Sequence, residues 1–85
     1  MPDERVSEGD ITRAELAELA VLFDQFEFAF DPGSLSAREA ESGFDDMVLR
    51  LFEERVRPKY PSVPFSAFHW RVKSLCRAYL RKGRV

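Results

Sequence analysis

Apolar residues recur at three- and four-residue steps in three separate stretches of the chain. Leu16, Leu19, Ala20, Phe23, Phe26 and Phe30 make the first stripe, and Ala40, Phe44, Met47, Val48, Leu51 and Phe52 the second. Phe65, Phe68, Val72, Leu75, Cys76, Tyr79 and Leu80 make the third. That period puts each set on one face of a helix. It predicts helices over about residues 13–30, 37–57 and 65–82, hence an all-α fold, a small three-helix bundle filling residues 11–85 as one domain. Phe26 to Phe30 also alternates like a strand, but no second strand exists to pair with it.

Local chemistry marks the boundaries. Residues 1–10 are charged and without period, and are expected to be disordered or frayed. Thr12 stands three residues before Glu15, the spacing of a reciprocal capping box, and Ile11 and Leu16 flank it as a hydrophobic staple. Asp31-Pro32-Gly33 ends the first helix. The second start repeats the pattern, with Ser36 as cap, Glu39 closing the box, and Leu35 and Ala40 as staple. Gly43 lies inside the second stripe, at a cost of up to about 1 kcal/mol relative to alanine. Either the helix runs through it, or Ser42 caps a new helix there. Leu49 and Val56 fall off the stripe, which gives the second helix two apolar faces, as a central helix needs. Pro58, Pro61 and Pro64 recur with the three-residue turn of polyproline II. At that rise the linker would span roughly 19 Å and hold the third helix away from the second. Gly83 sits where a left-handed helix cap is favoured, just after Arg81 and Lys82.

Composition sets the scale. A chain of 85 residues, 45% apolar and with eight phenylalanines, supports one core but not a core plus a deep substrate cavity. Its stability is expected to be modest, on the order of 5 kcal/mol. One cysteine, Cys76, excludes an internal disulfide. The opening Met1-Pro2-Asp3-Glu4-Arg5 lacks the apolar run of a secretory signal, and no stretch is apolar enough for a bilayer. The expected setting is therefore the cytoplasm, without membrane partners.

Charge changes the picture most. Residues 1–54 hold all fifteen acids against four bases, a formal balance of −11. Residues 55–85 hold nine bases and no acid, a balance of +9, so the net charge of −2 hides two poles. Such sorting suggests interaction rather than chemistry. Trp70, Lys73, Arg77 and Arg81, with Ser66 and Ser74, lie on the third helix opposite its apolar stripe. An indole among cations fits an acidic protein partner, where Trp and Arg are common anchors. It also fits nucleic acid, with cations for phosphates and the indole as a stacking plane. The plainer alternatives are a merely solvated face, or neutralisation of part of the charge by cross-helix pairs. On the first helix Ala14, Ala17, Val21 and Phe28 form a weaker second stripe. It serves either a second copy of the chain in a homodimer or a core that wraps further round. A helix-turn-helix is disfavoured: prolines replace the tight turn before the basic helix, and Asp45 and Asp46 follow Gly43.

Little suggests an enzyme. His69 and Cys76 share a face but stand two turns apart, about 10 Å, too few and too distant for zinc; packing in the core is the expected role. No Glu-x-x-His motif, calcium loop or phosphate-binding glycine loop occurs. The expectation is a non-enzymatic interaction or regulatory module, needing no cofactor or metal, with an acidic protein as partner and nucleic acid as the alternative.

Overall fold

In a computed structural model, which describes residues 8–83, the three stripes become three helices with no strand among the described residues. Helix α1 is Arg13–Glu27, α2 is Leu35–Leu51 and α3 is Phe65–Gly83. Contacts set the directions. Glu15 near the start of α1 meets Arg55 beyond α2, while Phe26 meets Phe44, so α1 and α2 are antiparallel. Phe52 packs on Phe65 and Phe44 on His69, so α2 and α3 are antiparallel too. The bundle is up-down-up, and all three stripes converge on one core. Leu19, Phe23, Phe44, Val48, Leu51, Val56, Phe68, Val72 and Cys76 are fully buried there.

The capping box at α1 is present in both directions: the Glu15 N–H donates to Thr12 Oγ1 at 3.1 Å, and the Thr12 N–H to Glu15 Oε1 at 2.9 Å. Ile11 is buried, as a staple residue should be. The helix ends at Phe28 rather than Phe30, which is fully exposed. Phe23, Phe26 and Phe44 already complete an aromatic cluster, and the Asp31 carboxylate receiving the Gly33 N–H builds the turn.

The second cap is Ser34, not Ser36. Its hydroxyl accepts the Ala37 N–H at 3.2 Å, and Leu35 is exposed, so no staple forms. A start at Ser34 faces Ala37, Ala40 and Phe44 inward together. α2 then runs unbroken through Gly43. Its end widens into a π turn over Phe52–Val56, closed by the Arg57 N–H on the Phe52 carbonyl at 2.9 Å. The altered rotation buries Phe52 and Val56 while Leu49 stays exposed, so the expected second apolar face reduces to this turn.

The proline segment is not an extended spacer. Lys59 and Tyr60 donate their N–H groups to the Val56 carbonyl, and Val63 donates to Tyr60, folding the linker into turns. Tyr60 and Val63 pack against the core, which holds α3 directly against the end of α2. Pro64 precedes α3, its carbonyl accepting the Phe68 N–H at 3.3 Å. Gly83 is the last helical residue, and no glycine among the described residues has the positive φ of a left-handed cap.

The expected fraying of residues 1–10 does not extend to Glu8–Asp10, which form a short 3-10 turn; residues 1–7 lie outside the described part. The Asp10 side chain is only 1% exposed and accepts a bond from Lys59 Nζ at 2.9 Å. Arg55 donates to the Asp10 carbonyl and grips both oxygens of Glu15, one of them at 2.7 Å. A buried carboxylate needs such partners, because its desolvation is otherwise uncompensated.

Two expectations follow. A Cβ on Gly43 would meet the Leu22 methyls at 3.8 and 3.9 Å, an ordinary contact. Gly43→Ala should therefore stabilise the protein by about 0.5–1 kcal/mol through helix propensity and raise the melting temperature by several degrees. A drop would show that α1 and α2 cannot yield even that space. Hydrogen bonding from Arg55 also holds the Glu15 carboxyl down from 4.5 to about 2. A depressed carboxylate contributes stability that is complete above its unfolded value and lost as pH falls through the folded one. The stability gap between wild type and Glu15→Gln, measured by denaturation across pH, should be constant near neutrality. It should shrink from about pH 4.5 downward and be smallest near 2.

Candidate interaction surface

α3 is built as an amphipathic rod. Phe68, Val72 and Cys76 point into the core, and on one side Trp70 and Arg81 face outward with Ser74 half-buried between them. Trp70 is 66% exposed, and its side chain makes no ring contact or hydrogen bond with another described residue. Lys73 is half-buried at the edge of this side and, like Arg81 and Lys82, makes no ion pair among the described residues.

Arg77 departs from its expected place on the open face. Its Nη2 donates to Glu27 Oε2 at 3.1 Å, and its guanidinium lies 5.4 Å from the centroid of the Phe23 ring. It therefore closes the seam between α1 and α3. Internal pairing goes further: Arg55 binds Glu15, Lys59 binds Asp10 and Arg57 binds Glu53. Arg71 is engaged as well. The sorted charge is thus partly consumed within the fold, and the cationic surface left to a partner centres on Lys73, Arg81 and Lys82, with Arg77 at its border.

Beyond Arg77 the C-terminal ends of α1 and α3 part into a cleft of about 480 Å³, lined by Glu27, Phe28, Arg77, Leu80 and Arg81. Phe28 is 54% exposed, its ring edge-on to Phe23 at 6.1 Å. It lines this cleft and stands seven residues beyond Val21. Along the expected self-association face Ala14, Val21 and Phe28 are exposed, while Ala17 is half-buried.

His69 and Cys76 separate. His69 Nε2 lies 2.8 Å from Asp45 Oδ1, its ring stacked on Phe65 and edge-on to Phe44 at the α2–α3 seam. Asp45 as its partner was not legible: the two stand 24 positions apart, and no spacing rule joins them. Cys76 is wholly buried, and burial pushes its thiol up to about 12. Among the described residues no three His, Cys, Asp or Glu side chains are grouped to hold a metal ion, and no helix is long and apolar enough to cross a membrane.

Compared with the known protein families, with curated proteins and with solved structures, the chain finds no match.

The placement of Cys76 carries its own expectation. At mildly alkaline pH the folded protein should react with a thiol-specific dye only as fast as it opens, and denaturant should release one rapidly reacting thiol. Prompt labelling of the native protein would contradict the burial.

Proposed function

We propose that this is a small non-enzymatic interaction module that docks an acidic protein partner on the outer side of α3. One observation carries the reading: an indole 66% exposed to water on a helix without a single acidic residue. At protein interfaces Trp and Arg supply a disproportionate share of binding energy. Lys73 and Arg81 add charges that steer an acidic partner and set its orientation. A cytoplasmic setting suits a chain whose single thiol is buried and unpaired.

Nucleic acid is the weaker reading for a countable reason. Phosphate binding gains from many simultaneous cation contacts. Here Lys73, Arg81 and Lys82 are the α3 cations without an ion pair among the described residues, and Arg77 already shares its charge with Glu27.

Trp70→Ala should leave stability within about 1 kcal/mol of wild type, since the ring packs little. The same variant should lose a partner that the wild-type protein retains from extracts of its own cells. Labelled duplex and single-stranded oligonucleotides, titrated at low and moderate salt, should show no saturable binding. Tight binding with a steep salt dependence would replace the protein partner with nucleic acid. A large loss of stability in Trp70→Ala would make the indole a structural residue instead.

A further inference from the structure

We propose that the cleft between the C-terminal ends of α1 and α3 is the anchoring pocket of this surface. It takes one bulky apolar side chain of an acidic protein segment whose carboxylates lie on Arg77 and Arg81. The inference rests on the reading of α3 as the docking helix and adds where the partner is held and by what chemistry.

The cleft is formed from two helices, so it exists only in the folded bundle. Phe28 from the end of α1 and Leu80 from α3 supply its apolar lining, and both arginines line it from α3. The cleft is open to solvent on one side, and Phe28 is 54% exposed at its edge. Arg77 is oriented toward the cleft by its bond to Glu27 and its seat over the Phe23 ring. A guanidinium carries five N–H donors, and Glu27 receives one here, which leaves donors for a second carboxylate. Arg81 stands one helical turn beyond and makes no ion pair among the described residues. Two cations against Glu27 give the cleft a net positive charge.

That composition selects among occupants. A phosphate chain would gain from the arginines but leave the apolar lining of Phe28 and Leu80 uncovered. An acidic segment with one large apolar side chain satisfies both halves, burying the side chain and pairing its own carboxylates. Trp70 stands seven residues before Arg77, about 10 Å along the axis, so a partner helix of two turns reaches the indole and the cleft together.

The test uses a displayed library of random peptides of about twelve residues, selected on the intact protein. Peptides joining an aromatic or large aliphatic residue to Asp or Glu should be enriched. Their affinity should fall about tenfold or more in Phe28→Ala and in Arg81→Glu, both exposed positions whose variants are first shown to melt as helical proteins. Backbone amide resonances at residues 27–28 and 80–81 should shift on titration with the enriched peptide. Peptides indifferent to both substitutions but abolished by Trp70→Ala would overturn the cleft and leave the α3 reading standing. Failure to enrich any acidic peptide would overturn both. A single-stranded oligonucleotide that shifts the same resonances at lower concentration than the best peptide would also overturn the cleft as a protein site.

Discussion

The ring of Phe23 touches all three helices. It packs edge-on against Phe26 of its own helix, tilts against Phe44 of α2 at 5.8 Å, and lies under the Arg77 guanidinium of α3 at 5.4 Å. An 85-residue chain has apolar material for one core only; Phe52, Phe65 and Phe68 pack together at one end of it, and Phe23 joins all three helices at the other. The same ring reaches the surface chemistry. It supports Phe28 at the mouth of the cleft and fixes the arginine at its border, so packing and recognition share a residue.

Electrostatics close the other end of the bundle. The acidic first part and basic last part of the chain are not merely two poles in solution. Asp10 and Glu15 from one side of the divide take Lys59 and Arg55 from the other, and Glu27 takes Arg77. What remains outward on α3 is a remnant of a larger imbalance. This explains why the candidate surface is defined by an indole and a few cations rather than by a broad basic sheet.

Much of the fold was legible because it followed from local rules. The stripes placed all three helices, and the Thr12–Glu15 box is read directly from spacing, as it appears in the structure. Errors arose where two local signals competed. Ser34 and Ser36 both suit a cap, and it is the Ser34 hydroxyl that takes the Ala37 N–H. The three prolines do fit polyproline II, but burial of Tyr60 and Val63 outweighs a solvated extended backbone. The exposure of Trp70 was legible from its angular position on the helix. The seam role of Arg77 was not, since it depends on where Glu27 comes to rest, 50 positions earlier. The cleft was equally hidden, because its walls come from helix ends whose relative placement no periodicity encodes.

The clamp around Asp10 and Glu15 has a temporal side. Its anions leave the ribosome 40 to 49 positions ahead of the cations that hold them. Until Lys59 has been made, the Asp10 carboxylate lacks that ammonium and its burial is uncompensated, so the Glu8–Asp10 turn gains little by docking. The ion pairs of this corner can form only once the segment that follows α2 is present.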